Sequence, residues 1–144
     1  MKSTLNIRRL SLLMLLFVAT LSSCKKDKEP VAPDAATTVA GSYAYSELTF
    51  NGQTLPGDKT DLKGSVTLTR QTATQVKVAA NIRIKSSNAE FIVADAEGVE
   101  VTDQGSGSYG LRYEGEEFAQ IKGNKLILKG VDEDGTNFTI TATK

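Results

Sequence analysis

The sequence predicts an all-β domain, a small antiparallel meander of about eight or nine short strands that closes into a barrel, with a β-sandwich as the alternative. Three observations predict this fold. Apolar and polar residues alternate over short segments, turn signals recur between these segments, and no segment after residue 24 has a helical period. Because every turn is short, neighbours in sequence should pair, and closure into a barrel removes the exposed edges of the sheet.

The first half of the domain carries the clearest strand signals. Residues 42–50 are rich in aromatic and β-branched side chains, and their apolar parity switches at Ser46 and Glu47, which predicts either a β-bulge or a sharp coil of the strand. Residues 65–70 and 75–85 alternate between apolar and polar, so both are predicted strands. The longer strand directs these residues to one face: Val76, Val78, Ala80, Ile82 and Ile84. Turns are predicted at Asn51-Gly52, Pro56–Asp58 and Ser86–Asn88.

The second half continues the pattern with shorter strands. Residues 90–94 are predicted to place Phe91 and Val93 inward, residues 95–98 to form a turn, and residues 99–101 to form a short strand. A loop is predicted at 103–107, and further strands at 108–113, 117–122, 125–129 and 136–143. Tight turns are predicted at Gly123-Asn124 and Asp132–Gly135, where they connect the last three predicted strands.

A basic and then apolar leader precedes the strands. Lys2, Arg8 and Arg9 are followed by an apolar run at residues 10–21, which is too short for a bilayer-spanning helix and has no polar stripe. This pattern is typical of a secretory signal peptide, so we predict a signal helix over residues 1–23 that is removed by cleavage.

The only cysteine of the chain, Cys24, follows directly. Leu21-Ser22-Ser23-Cys24 resembles the lipobox of bacterial lipoproteins, and the residues after it resemble the start of Bacteroidota-type lipoproteins. The resemblance implies a diacylglycerol thioether on Cys24, cleavage just before it, and acylation of the new amino group, for instance by palmitate. It also implies an outer-membrane anchor, on the periplasmic face or the cell surface, because Lys25 stands where the family's inner-membrane signal has Asp. An ordinary signal peptidase site with a free thiol is the alternative.

Residues 24–38 mix charge, proline and alanine without an apolar period, so we predict a lipidated, flexible tether, followed by the β domain at residues 39–144. The full chain has 17 basic and 17 acidic residues, and removal of Lys2, Arg8 and Arg9 leaves a formal charge of −3. This weak negative charge argues against nucleic-acid binding. With Cys24 acylated, no cysteine remains for a disulfide, so the hydrophobic core alone must stabilise one domain.

A second resemblance lies at the start of the first strand. Gly41-Ser42-Tyr43 resembles the Gly-x-Trp motif that opens lipocalins and related up-and-down barrels, with Tyr43 in place of Trp. The last strand has no Arg, whereas the family packs an Arg from that strand across the Trp ring. The resemblance implies a lipocalin-like barrel.

Acidic segments are the main candidates for chemistry. Asp132–Asn137 is similar to part of a calcium loop but lacks the full ligand spacing, and an Asp-Gly hairpin turn accounts for the same residues. Glu114, Glu116 and Glu117 could pair with Arg112 or act as acid and base, although charges at a turn are usually solvated. The sequence has no histidine, the usual general base and zinc ligand. We therefore expect no catalytic residues, no metal site and no cofactor in a protein that is not an enzyme.

The four tyrosines, Tyr43, Tyr45, Tyr109 and Tyr113, are predicted to lie in the core and rim of the barrel, with a sugar or apolar ligand site as the alternative. Most inward positions are apolar, which favours a filled interior and binding through loops and outer faces. The sequence thus predicts an anchored binding domain for a small ligand, a glycan or a protein. Two other hypotheses are a structural or accessory component of an envelope assembly, and a small hydrolase inhibitor acting through residues 55–57 or 104–107.

Overall fold

The computed structural model describes residues 32–132 and 134–144. The predicted signal peptide, Cys24 and most of the predicted tether lie outside these residues. The elements of the described chain, in order, are α1 (Ala35–Val39), β1 (Gly41–Phe50), β2 (Gln53–Pro56), a 3₁₀ turn (Gly57–Lys59), β3 (Leu62–Arg70), β4 (Gln75–Ile84), β5 (Glu90–Gly105), β6 (Ser108–Tyr113), β7 (Glu116–Lys122), β8 (Lys125–Val131) and β9 (Asn137–Thr143).

The strands form an antiparallel meander that closes into a barrel, as the sequence predicts. From β3 to β9 each strand pairs with the next one in sequence. β1 closes the ring by pairing with β3 through its first half and with β9 from Ala44 to Phe50. Eight strands therefore make the barrel, and β2 is one extra strand that pairs with the second half of β1. The sandwich alternative is wrong.

The predicted β-bulge in β1 is confirmed. The register with β9 shifts between Tyr45 and Glu47, so Ser46 is the extra residue, and its hydroxyl donates to the Thr141 carbonyl at 3.0 Å. One inserted residue reverses the alternation of faces, which keeps both Tyr45 before the bulge and Leu48 after it packed against the core.

Strand β5 differs from the prediction. Residues 95–98 do not turn, because β5 continues through them, and Glu97 and Gly98 together face the single residue Lys77 of β4. Gly98 has a φ of +70°, the left-handed conformation that a glycine bulge requires, so this glycine marks a bulge rather than a turn. The inward placement of Val93 is also wrong, because this residue pairs with the exposed Asn81 and is itself 46% exposed.

The end of the predicted tether is folded. α1 packs against the end of the barrel at which β1 begins, and Ala36 and Val39 are almost completely buried there. Asp34 caps the helix by accepting a hydrogen bond from the Thr37 amide at 2.8 Å, and it forms an ion pair with Arg70 at 2.8 Å. The tether boundary at residue 38 is therefore wrong. A helix of five residues is too short to show an apolar period in the sequence.

We name this end of the barrel the closed end. The Tyr43 ring is 1% exposed, its hydroxyl donates to the Val39 carbonyl at 2.7 Å, and burial raises its pKa. The Lys144 ammonium lies 5.8 Å from the centre of that ring and donates to the Ala40 carbonyl. A Cβ at Gly41 would lie 2.6 Å from the Lys144 side chain, so the glycine leaves room for the lysine. Strand β9 contains no Arg that could cover the Tyr43 ring. The cation over this ring is instead the ammonium group of Lys144, one residue beyond β9.

The core fills the closed end and the middle of the barrel. Each of the eight barrel strands contributes at least one of these buried side chains: Tyr43, Val66, Leu68, Val76, Val99, Leu111, Ile121, Leu126 and Ile140. Within the described part of the chain, no buried side-chain polar atom lacks a hydrogen-bond partner. The expected filled interior holds for this part of the barrel. At the opposite end, inward side chains such as Leu48, Ile84 and Phe138 are only half-buried.

Candidate ligand-binding site

The open end of the barrel is the end at which β1 finishes and β9 begins. Large apolar side chains that remain exposed gather near it: Phe50, Leu55, Phe91, Tyr113 and Val131. A single exposed apolar residue is ordinary on a protein surface, whereas several around one opening make this end of the barrel the candidate site.

An apolar pocket of about 400 Å³ lies at this end. Its lining residues are Leu48, Leu55, Thr60, Asp61, Leu62, Ile84 and Phe91. Strands β1 to β5 and residues 60–61 supply its walls, and the volume falls within the range of small-molecule sites. The sequence analysis missed this pocket, because alternation shows which residues face inward but not whether the opposite wall is close enough to cover them.

The two polar residues of the apolar pocket are already bonded within the protein. The Thr60 hydroxyl shares a hydrogen bond of 2.8 Å with the Tyr45 hydroxyl, and burial raises the pKa of that tyrosine. The Asp61 carboxylate accepts hydrogen bonds from the amide and the hydroxyl of Ser86. What the pocket offers a ligand is therefore mainly apolar surface, with Asp61 at its edge as an additional acceptor.

Phe91 reaches the apolar pocket through a second bulge in β5. The β4–β5 register shifts between Ile82 and Arg83, which leaves Phe91 as the extra residue. Its ring centroid lies 5.6 Å from that of Phe138 in β9, with an angle of 50° between the planes. Since β5 and β9 are not neighbours in the barrel, this contact spans the interior. Gly130 of β8 pairs with Phe138, and a side chain at this glycine would collide with the Phe138 ring.

A second pocket of about 630 Å³ adjoins β5, and we name it the acidic pocket. Its lining residues are Ala94, Asp95, Ala96, Tyr113, Glu114, Glu116 and Phe118. The β5–β6 ladder begins only at the pair of Glu100 and Arg112, so the first half of β5 has β4 as its one neighbouring strand in the described chain. The short β6–β7 hairpin leaves the space that forms this pocket.

The charges around the acidic pocket are unevenly paired. On the outer face, Lys77 bonds to Asp95 at 3.1 Å and to Glu97 at 3.3 Å, and these two carboxylates raise its pKa. Glu114 and Glu116 form no ion pair with any residue of the described chain. The pocket therefore carries negative charge that the protein does not neutralise.

The three glutamates singled out in the sequence separate in the structure. Glu114 and Glu116 line the acidic pocket. Glu117 lies opposite Arg112, but its carboxylate accepts hydrogen bonds from the amide groups of Gln104 at 2.8 Å and Gln120 at 2.7 Å. The structure thus brings two of the three to one pocket.

The segment that is similar to a calcium loop forms a turn. The Asp132 carboxylate accepts from the backbone amides of Asp134 at 3.1 Å and Thr136 at 2.7 Å, and Gly135 has a φ of +81°. The expected Asp-Gly hairpin turn accounts for these bonds. Among the residues that the structure describes, no group of three or more acidic, histidine or cysteine side chains could hold a metal ion.

The tyrosines occupy the core and the rim, as predicted, and they do not converge on one site. Tyr43 is buried, Tyr45 and Tyr109 are half-buried, and Tyr113 is exposed beside the acidic pocket. The two segments considered for hydrolase inhibition form no protruding loop in the described chain. Residues 55–57 belong to β2 and the 3₁₀ turn, residues 104–105 end β5, and residues 106–107 form the tight turn to β6.

Comparison with known proteins adds no family to these observations. No family model matches the chain, and neither the curated proteins nor the solved structures contain a match. Of the helices in the described residues, none is both long and apolar enough to cross a membrane.

Proposed function

We propose that this protein is an anchored, non-enzymatic binding protein that takes a small apolar ligand into the apolar pocket. The observation that carries the proposal is a pocket of about 400 Å³ lined by Leu48, Leu55, Leu62, Ile84 and Phe91. Removal of such surface from water is favourable by about 25 cal/mol per Å². A ligand would cover four side chains that the barrel itself leaves half-buried or exposed, namely Leu48, Leu55, Ile84 and Phe91, beside the buried Leu62.

The asymmetry of the barrel supports this role. The closed end is packed and sealed by α1, so a ligand has no space there. The chain also enters the domain at that end, through Asp34. The first described residues therefore join the domain at the end opposite the apolar pocket.

We further propose that Cys24 carries the lipid anchor and that the anchor holds the mature protein at the outer membrane of a bacterium. The support is the sequence Leu21-Ser22-Ser23-Cys24 after a basic and apolar leader, with Lys25 rather than Asp next in the chain. Two or three acyl chains give stable anchoring, whereas a single chain gives marginal binding.

The ligand proposal is tested with a neutral fluorescent probe, N-phenyl-1-naphthylamine, added to residues 24–144 carrying Cys24→Ser. We expect saturable binding that Phe91→Ala weakens about tenfold, which corresponds to the loss of roughly 1.4 kcal/mol of apolar contact. Phe91 is 40% exposed, so the variant should remain folded.

A matched pair of threonine substitutions locates the probe. Leu55→Thr removes a side chain that lines the apolar pocket, whereas Val93→Thr removes an apolar side chain of similar exposure that lies outside this pocket and pairs with the exposed Asn81. Binding should weaken for Leu55→Thr alone. Equal loss in both variants, or no saturable binding by the parent protein, would contradict the proposal.

The anchor is tested by expressing the full chain with Cys24→Ala. This variant should lose its mass increment of acyl groups and move from the membrane to the soluble fraction. An unmodified thiol at Cys24 in the parent protein, found by mass spectrometry, would refute the lipid assignment.

A further inference from the structure

We propose that the acidic pocket is a separate binding site for an organic cation, a molecule that joins an ammonium group to an apolar or aromatic group. The proposal stands on the shape and chemistry of this pocket and does not depend on the ligand of the apolar pocket. Three features of the pocket lead to it: its small floor residues, its aromatic walls and the sign of its charge.

The floor of the pocket is made by small side chains. Ala94 and Ala96 lie on the half of β5 that pairs with no other residue of the described chain on its β6 side. In the barrel, Ala94 faces Ala80 and Ala96 faces Val78, so both point to the inner side of the sheet. Larger side chains at these two positions would occupy the space, and the alanines leave it as a cavity of about 630 Å³.

Two aromatic side chains line the pocket. Tyr113 is 44% exposed at the end of β6, and Phe118 is the extra residue where the β6–β7 register shifts. Aromatic faces attract both apolar groups and cations, and proteins use such faces to recognise quaternary ammonium ligands.

The negative charge of the acidic pocket favours a cation over a neutral or anionic ligand. Glu114 and Glu116 line the pocket without an ion pair in the described chain, and no basic residue is among its lining residues. Asp95 adds a third carboxylate, but Lys77 already holds it. An anion would meet two unpaired negative charges, a neutral ligand would gain no electrostatic attraction, and a cation would gain attraction from both.

Glu114 occupies an unusual backbone position. Its φ is +51°, and with Gly115 at +87° it forms the β6–β7 turn, where Asn and Gly are the favoured residues. A glutamate at this position is less stable than an asparagine would be. Its presence agrees with a role for the carboxylate in binding, although the pocket, not the strain, carries the proposal.

The test is a titration of residues 24–144 carrying Cys24→Ser with benzyltrimethylammonium, followed by amide chemical shifts. Benzyl alcohol serves as the neutral control and phenylacetate as the anionic control. We expect saturable shifts for the cation at residues 94–96 and 113–118, at least tenfold weaker binding of both controls, and weaker cation binding at high salt. Equal binding of the three probes, or cation shifts that lie elsewhere, would overturn the proposal.

Variants separate charge, aromatic contact and space. The double substitution of Glu114→Gln and Glu116→Gln should weaken cation binding about tenfold, and Tyr113→Leu should weaken it about threefold. Ala94→Leu should abolish cation binding, because the larger side chain would fill the floor of the pocket. Asp58→Asn removes one exposed carboxylate outside the pocket and should leave binding unchanged. If Asp58→Asn weakens cation binding as much as the double substitution does, the attraction comes from the charge of the whole surface, and the assignment of the site is refuted.

Glu114→Asn distinguishes a binding residue from a purely structural one. We expect the melting temperature to rise by about 3 °C because asparagine tolerates positive φ, while cation binding weakens. A variant that is less stable, or one that binds the cation as well as the parent protein, would contradict the role given to Glu114.

Discussion

The closed and open ends of the barrel are made by the same strands and differ in what covers their inner surface. At the closed end, α1 and the Lys144 side chain cover the Tyr43 ring, and its hydroxyl is bonded to the Val39 carbonyl. At the open end, bulges in β5 and the short β6–β7 hairpin leave two pockets lined by exposed side chains. From this comparison we expect the closed end to contribute most of the stability, and we propose binding at the open end.

The largest expected difference is between two aromatic residues, one at each end. Tyr43→Ala should lower the free energy of unfolding by about 4 kcal/mol, because it removes a buried ring and leaves a cavity. Phe91→Ala should cost about 1 kcal/mol, because that ring is 40% exposed and makes its aromatic contact with Phe138 at the open end. Urea unfolding of both variants measures the difference. Equal losses would mean that the open end is as important for stability as the closed end.

Truncation tests the seal at the closed end. A chain that begins at residue 33 should be as stable as the longer protein, whereas one that begins at residue 40 should lose about 3 kcal/mol. The loss combines the burial of Val39 with the hydrogen-bond partner that Tyr43 loses. Thermal and urea unfolding of the two chains provide the measurement. If the shorter chain kept its full stability, α1 would be no part of the folded domain.

The smallest expected effect is a pH dependence at the start of α1. The Arg70 guanidinium and the Thr37 amide hold the pKa of Asp34 well below its usual range. A carboxyl with a lowered pKa in the folded state stabilises the protein above its ordinary pKa of about 4, and this contribution is lost as the pH falls through the folded-state value. Asp34→Asn keeps a capping side chain and removes the charge.

The parent protein should therefore be slightly more stable than Asp34→Asn from pH 7 to about pH 4, and the difference should shrink below pH 4. Urea midpoints at pH 7, 5, 3 and 2 measure it. Arg70→Gln provides the matched change on the other side of the ion pair. A difference that grows as the pH falls would contradict the assignment of the ion pair.

The sequence was sufficient for the barrel and for several of its details. Strict alternation in residues 75–85 places β4, and the parity switch at Ser46 locates the bulge in β1. The same reasoning failed at Gly98, because a glycine with positive φ serves equally well in a turn and in a bulge, and only the partner strand distinguishes the two. Val93 was misassigned because the Phe91 bulge shifts the alternation by one residue.

The pockets could be predicted only in part. Glu114, Glu116 and Tyr113 were all candidates from the sequence, but the alternation pattern gave no reason to group them with Ala94 and Ala96. Leu48 and Ile84 are half-buried, yet they look the same in sequence as fully buried core residues. Their exposure depends on how far neighbouring strands extend, which is a property of strand register and not of any local segment.

By itself, the sequence determined the all-β class, the antiparallel meander and most of the inward faces, because alternation and turn chemistry are local properties of the chain. It did not reveal the short strand β2 or the continuity of β5. Only the tertiary structure decided which end of the barrel is sealed and where space remains. Those features depend on contacts between residues far apart in sequence, such as Lys144 with Tyr43 and Phe91 with Phe138. No local pattern encodes the distance between two such side chains, so packing in three dimensions decides it.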